Sequence, residues 1–175
     1  MGARASGLGR AEATVLGVTR RALGGTPAVP CARVLSLFGE HAAGWLLLGA
    51  GGWLVGRRRR EWATAAAGVL LAHGSAVGVK RVVRRVRPVL DAVPALVATP
   101  SRLSFPSAHA ASTAAAAYGY GPLLGRRLLT TALGAMAVSR VLLGVHWPTD
   151  VLAGALLGRG VAAGVRWTAA RRDAR

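Results

Sequence analysis

The sequence is short of cysteine, of aromatic residues and of acidic residues. Cys31 is the single cysteine, so the chain can form no intramolecular disulfide and no metal site built from several thiolates. Aromatic residues make up 5% of the 175 residues, which is too few for surfaces that stack nucleic-acid bases. We therefore expect no disulfide and no nucleic-acid partner.

Positive charge and apolar residues dominate what is present. Lys and Arg number 23 against 6 Asp and Glu, a net charge of +17, and Lys80 is the one lysine. Charged residues make up 17% of the chain, below the roughly 25% of an average soluble domain, and hydrophobic residues make up 53%. This composition argues against a water-soluble globule. A chain this basic is expected to contact phosphate, on a lipid headgroup or in a substrate.

Five apolar runs follow one another along the chain, at residues 42–56, 62–79, 108–124, 128–145 and 151–165. Each is at or below the roughly 20 residues that a membrane-spanning helix needs, so some helices must extend into flanking residues. We predict an all-α fold, a polytopic membrane helical bundle of about five transmembrane helices. The alternative is a soluble helical bundle, but its helices would show polar stripes that these runs lack.

The two ends of the chain are basic and less apolar. Arginines interrupt every apolar stretch in residues 1–33, where residues 11–23 are predicted to form an amphipathic helix on the membrane surface. Residues 34–167 are predicted to form the membrane-embedded domain, and residues 168–175 a basic tail. Basic residues divide almost equally between the two sides of five spans, so they set no orientation.

The unusual polar residues fall in three clusters, at residues 80–88, 106–109 and 139–150. Five crossings bring all three clusters to one side of a multi-pass protein of the cell membrane. Because basic residues needed for chemistry would inflate the count on that side, we place it outside the cytoplasm. Distant parts of the chain are thereby expected to build one site.

The first cluster is cationic. Lys80 and Arg87 are seven residues apart, two helical turns, and are expected to share a helical face that can bind a dianionic phosphate. Pro88 ends the segment. Arg81 and Arg85 lie on the flank, where we interpret them as interfacial residues that bind anionic lipid.

The second cluster opens an apolar run. Ser107 is predicted to cap the helix, with His109 in its first turn. Free backbone N–H groups and the positive end of the helix dipole favour an anion at such a place. By itself, a capped helix with a histidine is more often structural than catalytic.

The third cluster joins two apolar runs. Arg140 lies in an apolar run, where a charge is costly and indicates function. Asp150 follows His146 by four residues and could orient its imidazole, leaving the other nitrogen free to attack or to take a proton. Lys80, Arg87 and Arg140 with one carboxylate give the site a charge of +2, which suits a phosphoryl dianion and argues against a catalytic metal. We predict no metal and no cofactor.

The three clusters resemble the three-part motif of the type-2 phosphatidic acid phosphatases, lipid phosphate phosphatases related to vanadium haloperoxidases. The matching residues are Lys80, Arg87 and Pro88, then Pro106, Ser107 and His109, then Ser139, Arg140, His146 and Asp150. Ala108 stands where that family usually has glycine. The resemblance implies a metal-independent phosphatase of a lipid phosphate, acting through a phosphohistidine intermediate.

The resemblance also implies a role for each residue. His146 would be the nucleophile, Asp150 its orienting carboxylate and His109 the acid that protonates the leaving oxygen. The phosphate would be bound by Lys80, Arg87, Ser107 and Arg140.

Two short strings resemble a narrower group, the actinobacterial decaprenylphosphoryl phosphoribose phosphatases. They are residues 38–41, which read Phe-Gly-Glu-His, and residues 104–110 around His109. They favour a polyprenyl-linked substrate, with undecaprenyl diphosphate, phosphatidylglycerol phosphate and phosphatidic acid left open. Membrane lipids are the other expected partners, and the oligomeric state is unknown.

Two other functions compete with a phosphatase. A non-enzymatic basic membrane protein that binds anionic lipid would need only the net charge, and a vanadate-dependent haloperoxidase would use the same residues. Of the remaining polar residues, Glu40 and His41 are predicted to cap the first span. His73 is interpreted as a packing histidine, with a place in the pocket as the alternative.

Overall fold

The computed structural model describes residues 7–174 and consists of seven α-helices joined by short connections and one long one. The helices are α1 (Gly7–Leu23), α2 (Ala28–Gly39), α3 (Ala43–Val55), α4 (Arg59–Val83), α5 (Ala108–Leu124), α6 (Arg126–Leu142) and α7 (Pro148–Asp173). Within the described residues there is no strand, only an isolated bridge between Val86 and Leu103. The predicted all-α class is confirmed. Residues 1–6 of the basic N-terminal segment, and residue 175 of the tail, lie outside the described part.

Each of the five apolar runs corresponds to one helix, from α3 to α7. Among the described helices, only α4, with 25 residues, is both long and apolar enough to cross a bilayer by these two measures. The other apolar helices α3, α5 and α6 have 13, 17 and 17 residues. Helix α7 has 26 residues but carries several arginines.

Helix α5 lies at the centre and packs against α4, α6 and α7. A Cβ on Gly158 would lie 1.9 Å from the carbonyl oxygen of Ala111, and one on Gly154 would lie 2.3 Å from that of Ser107. These glycines therefore let the backbone of α7 touch the first turns of α5. That contact brings the start of α7, with Asp150, beside Ser107, whose backbone N–H donates to the Asp150 carbonyl at 2.9 Å.

The helix predicted for residues 11–23 is present as α1, which begins four residues earlier. Leu16 on α1 is fully buried in a cluster with Val141 of α6 and Val151 of α7. The Arg20 guanidinium donates to the carbonyl oxygens of Leu142 at 3.2 Å and Pro94 at 2.8 Å. Helix α1 is thus packed onto the end of the bundle where α6 and α7 are joined.

The first cluster departs from the predicted helical geometry. Helix α4 ends at Val83, and Arg84 has a left-handed backbone with φ of 54°. Arg87 therefore lies in the long connection to α5, and the prediction that Lys80 and Arg87 share a helical face is wrong. The bridge between Val86 and Leu103 instead folds this connection back on itself.

Candidate active site

A cavity of about 370 Å³ lies where the end of α4, the start of α5, the end of α6 and the connection to α7 meet. It is lined by Lys80, Arg87, His109, Arg140 and His146, among others. The three clusters thus meet at one cavity, as the count of crossings predicts. Ser107 and Asp150 are fully buried and are not among the described residues that line it.

His146 presents one ring nitrogen to the guanidinium of Arg87. Its Nε2 lies 3.1 Å from Nη1 of Arg87. Because a guanidinium only donates, Nε2 must be the acceptor and keep its lone pair. Burial is the main cause that lowers the pKa of His146 to about 4; the neighbouring Asp150 carboxylate opposes it, and the charges of Arg87 and Lys80 lower the pKa further. At neutral pH the ring is neutral, with its proton on Nδ1.

Asp150 lies on the other side of that ring. Its Oδ2 is 3.6 Å from Nδ1 of His146, just beyond hydrogen-bonding distance, and accepts from the Trp147 backbone N–H at 2.8 Å. Its Oδ1 accepts from Nη1 of Arg85 at 2.9 Å. This carboxylate therefore faces the Nδ1 proton and favours the tautomer in which Nε2 is free to attack.

Arg85 requires a correction, because its interpretation as a flanking lipid-binding residue is wrong. Its guanidinium donates to Asp150 through Nη1 and to Glu12 of α1 through Nη2, at 2.6 Å. Glu12 is 4% exposed and also accepts from the Thr149 hydroxyl at 2.5 Å and the Thr149 backbone N–H at 3.3 Å. Sequence reasoning missed Glu12, although it is one of only 6 acidic residues.

His109 is held from the other side of the cavity by α2. Its Nε2 lies 3.0 Å from the carbonyl oxygen of Ser36. Because a carbonyl only accepts, Nε2 must carry a proton. The ring fits there because the neighbouring residue of α2 is Gly39, where a Cβ would lie 2.6 Å from Cδ2 of His109. No sequence motif pointed to Ser36, and Gly39 stands in the string at residues 38–41 with no predicted role.

Ser107 caps α5 as predicted, since its Oγ accepts from the Ala110 backbone N–H at 3.4 Å. Helix α5 begins at Ala108, which is not among the described residues with positive φ. The alanine that replaces the usual glycine therefore causes no backbone strain here.

The ammonium group of Lys80 donates all of its hydrogen bonds to backbone carbonyl oxygens. Its Nζ donates to the carbonyl oxygens of Leu103 at 3.3 Å, Ser104 at 2.9 Å and Pro106 at 3.0 Å. An ammonium has three N–H donors, so all are used. Lys80 thus fixes the segment that leads into α5 and adds a positive charge to the cavity.

Arg87 and Arg140 differ in how far the protein satisfies them. Arg87 donates to the carbonyl oxygens of Ser101 at 2.9 Å and Val145 at 2.6 Å. Arg140 is only 2% exposed, its Nε donates to the Ser139 hydroxyl at 3.2 Å, and its Nη2 has no hydrogen-bond partner among the described residues. An unpaired buried donor costs about 1–3 kcal/mol, so Nη2 is a donor available to an anionic oxygen.

The residues around the cavity can therefore bind a phosphoryl group and attack it. The described residues contain no group of three or more His, Cys, Asp or Glu side chains placed to hold a metal ion. The cavity combines an unprotonated imidazole nitrogen, a second imidazole and three fixed cations.

The chain matches the model of the PAP2 superfamily over residues 61–174. It is 49% identical over 156 residues to the decaprenylphosphoryl-5-phosphoribose phosphatase of Mycobacterium tuberculosis, covering 88% of each chain. It is 50% identical over 147 residues to the protein of the same name from Mycolicibacterium smegmatis, covering 83% of this chain and 82% of that one.

Two solved structures share the fold. One is a transmembrane PAP2-type phosphatidylglycerolphosphate phosphatase from Bacillus subtilis, with a TM-score of 0.78 and 21% identity over 96% of this chain and 89% of that one. The other is LpxE of Aquifex aeolicus, with a TM-score of 0.67 and 22% identity over 86% and 93%. With the family model matched over most of its length, the chain belongs to the PAP2 superfamily and is a phosphatase.

Proposed function

We propose that the protein removes the terminal phosphate from a polyprenyl-linked phosphosugar, without a metal and through a covalent phosphohistidine at His146. The observation that carries the proposal is the unprotonated Nε2 of His146, which faces Arg87, in the same cavity as the unpartnered Nη2 of Arg140. The names of the mycobacterial relatives support the choice of substrate.

In the first step, Nε2 of His146 attacks phosphorus while the bond to the leaving oxygen breaks. The electron pair stays on that oxygen, which takes a proton from His109 in its imidazolium form and leaves a neutral ring whose Nε2–H donates to the Ser36 carbonyl. Asp150 stabilises the positive charge that develops on the His146 ring. A water then attacks phosphorus while the P–N bond breaks and its electron pair returns to Nε2 of His146. The neutral His109 ring takes the proton of the water, and inorganic phosphate leaves.

Fixed cations stabilise the charge on the phosphoryl oxygens. Nη1 of Arg87 already lies next to Nε2 of His146, where a bound phosphoryl group would carry its oxygens, and Nη2 of Arg140 supplies a second donor. Lys80 contributes charge, and Ser107 orders the start of α5, whose N-terminal end favours an anion. Preorganised donors of this kind are usually the largest catalytic contribution.

In the membrane, residues 34–167 would form the embedded domain, with helices α3–α7 crossing the bilayer. The cavity would open outside the cytoplasm. Exposed large apolar residues on these helices, such as Leu47, Leu70 and Leu156, suit contact with lipid tails. The described parts of the two basic ends, residues 7–33 and 168–174, would lie at the headgroups.

The test is a phosphate-release screen of the purified protein in detergent with EDTA. The substrates are an alkyl riboside 5-phosphate, a prenyl phosphate, a prenyl diphosphate, phosphatidylglycerol phosphate and phosphatidic acid. We expect the riboside 5-phosphate to be hydrolysed fastest, and His146→Ala to abolish release while the protein stays folded. Preference for another lipid would correct the substrate, and full activity of His146→Ala would refute the mechanism.

The covalent intermediate has its own measurement. With ³²P-labelled substrate and a rapid quench, we expect protein-bound phosphate that is stable in alkali and lost in acid, as for a phosphorus–nitrogen bond. His146→Ala should carry none. A burst of labelled protein in that variant would place the intermediate on another residue.

A further inference from the structure

The active-site cavity extends past the two reacting histidines to polar residues that the reaction does not use. Glu40, His41 and His73, here called the polar subsite, line the same cavity. The His41 and His73 rings lie 6.3 Å apart, and Nδ1 of His41 is 3.7 Å from Oε1 of Glu40. One carboxylate and two imidazoles therefore face the space beside the phosphate site.

A helix-capping role does not account for Glu40 and His41. The predicted capping role of Glu40 and His41 is wrong, because α3 begins at Ala43 after Ala42 and has no side-chain cap. His41 and Ala42 both have left-handed backbones, with φ of 49° and 61°. For residues with a Cβ this costs about 1–3 kcal/mol each, and such strain collects at ligand sites.

His73 lines the same cavity and carries an unsatisfied atom. Its Nδ1 is buried and has no hydrogen-bond partner among the described residues. The interpretation of His73 as a hydrogen-bonded packing residue is therefore wrong, and its alternative place in the pocket is the observed one. A ligand hydroxyl at this point would satisfy Nδ1 and recover the cost of burying it.

The position of the polar subsite identifies what part of the substrate it meets. His109 protonates the leaving oxygen in the proposed reaction, so the group attached to that oxygen lies on the His109 side. Gly39, next to Glu40 in the chain, touches the His109 ring. A carboxylate accepts hydrogen bonds from neighbouring hydroxyls, and a neutral imidazole both donates and accepts.

We propose that Glu40, His41 and His73 bind the hydroxyl groups of a sugar or polyol that carries the scissile phosphate. The proposal rests on the proposed function and adds the basis of its selectivity. An alcohol without further hydroxyls would leave the buried Nδ1 of His73 unpaired and would offer no partner to Glu40 and His41, and a site built for hydrogen bonds discriminates strongly against such a ligand.

The test compares two substrates of equal length, an alkyl riboside 5-phosphate, which carries hydroxyl groups beside the scissile phosphate, and a straight-chain alkyl phosphate, which carries none. We expect Glu40→Gln and His73→Ala to lower kcat/KM for the riboside about 10- to 100-fold, and for the alkyl phosphate by less than about twofold. Glu61→Gln, on the exposed start of α4, is the matched control and should change neither.

Equal losses on both substrates, or no loss on either, would overturn the polar subsite. Failure of the proposed function gives a different result, since the unaltered protein would then release phosphate from neither compound.

A second inference rests on independent contacts made by α1, which lies outside the residues matched by the family model. Glu12, Arg85 and Asp150 form a continuous chain of ion pairs that ends 3.6 Å from Nδ1 of His146. We infer that Glu12 is a positioning residue for the nucleophile, acting through Arg85 and Asp150.

The physical reason is the division of one positive charge between two carboxylates. If Arg85 paired with Asp150 alone, it would neutralise that carboxylate and weaken its attraction for the His146 ring. Glu12 is nearly fully buried and pairs with the same guanidinium, so its negative charge offsets part of the positive charge of Arg85. The negative charge of Asp150 then attracts the His146 ring more strongly than it would beside Arg85 alone. Glu12 also holds Thr149, the neighbour of Asp150, through Oε1.

Other charged or titratable groups also face His146 in the cavity: Lys80 from α4, Arg87 from the long connection, His109 from α5 and Arg140 from α6. Glu12→Gln leaves all of these in place, keeps an acceptor for Thr149 and removes one negative charge. We expect kcat to fall about tenfold with KM within about twofold, since the ring is positioned for the transition state more than for binding.

Two further measurements separate positioning from general destabilisation. The pKa of His146, followed by NMR, should fall further in Glu12→Gln because a nearby negative charge is lost, whereas Glu12→Asp should retain the native value. In an Arg85→Gln background, Glu12→Gln should have no further effect on kcat. An unchanged His146 pKa, or losses that simply add, would overturn the role. Glu61→Gln serves as the control for loss of a carboxylate.

Discussion

Residues 61–174 and the first two helices contribute to one cavity in different ways. The later segment contains the reacting groups, His109 and His146, and the cations around them. Helices α1 and α2 contribute no reacting group, yet the Ser36 carbonyl holds His109 and Glu12 binds Arg85. The reacting residues thus lie in the segment that the family model matches, whereas Ser36 and Glu12, which hold them through hydrogen bonds and ion pairs, lie outside it.

After loss of the nucleophile His146, the largest expected effect within residues 61–174 is that of Arg140→Gln. The unpartnered Nη2 is a donor that the protein leaves for the phosphoryl oxygens. Its loss should lower kcat roughly 100- to 1000-fold, as for other donors to developing negative charge. Steady-state phosphate release from the best substrate measures it, with Arg127→Gln as the control. If both variants lost activity equally, general positive charge rather than this donor would be responsible.

The pH dependence tests the nucleophile itself. Burial lowers the pKa of His146 to about 4, against an ordinary value of about 6.5, so the ring is neutral above about pH 4 and protonated below it. NMR of the His146 ring should show a titration near pH 4, assigned by its absence in His146→Gln. The acid limb of kcat/KM should then follow ionisation of the substrate phosphate near pH 6, not His146. A His146 titration above pH 6 would contradict this.

Gly39→Ala is a change in α2 that should displace His109, a reacting residue of α5. The added Cβ would lie 2.6 Å from Cδ2 of His109 and 3.0 Å from Cε of Met136, so the His109 ring must move away from Ser36. Displacing the acid from the leaving oxygen should lower kcat about tenfold or more. The control is Gly51→Ala on α3, where a Cβ would meet nothing within 4 Å. Unchanged kcat would show that α2 does not position His109.

Arg20→Gln measures how firmly α1 is attached. It removes two charge-assisted hydrogen bonds to the carbonyls of Leu142 and Pro94, of which one is partly exposed. We expect the free energy of unfolding to fall by about 1–2 kcal/mol, and the Tm by roughly 2–8 °C. Thermal unfolding in detergent, followed by tryptophan fluorescence, checks this. Arg21→Gln on the same helix is the comparison, and an equal effect of the two would argue against these hydrogen bonds.

Much of the fold and most of the reacting groups were accessible from the sequence because their signals are local. Apolar runs mark the helices from α3 to α7, and Ser107 before an apolar run marks the cap of α5. The four-residue spacing of His146 and Asp150 places imidazole and carboxylate within reach whatever the rest of the chain does. Crossing the bundle five times is enough to bring the three clusters to one end.

Contacts between distant segments were decided by the tertiary structure alone. The Lys80 ammonium donates hydrogen bonds to carbonyl oxygens more than 20 residues away, and the carbonyl oxygen of Ser36 binds His109. Every residue has the same backbone carbonyl group, so the amino-acid type does not indicate which carbonyl will accept such a hydrogen bond. Packing likewise pairs Arg85 with Glu12 and places Glu40 and His73 in the lining of one cavity. A side chain's partner is set by proximity in space and not along the chain.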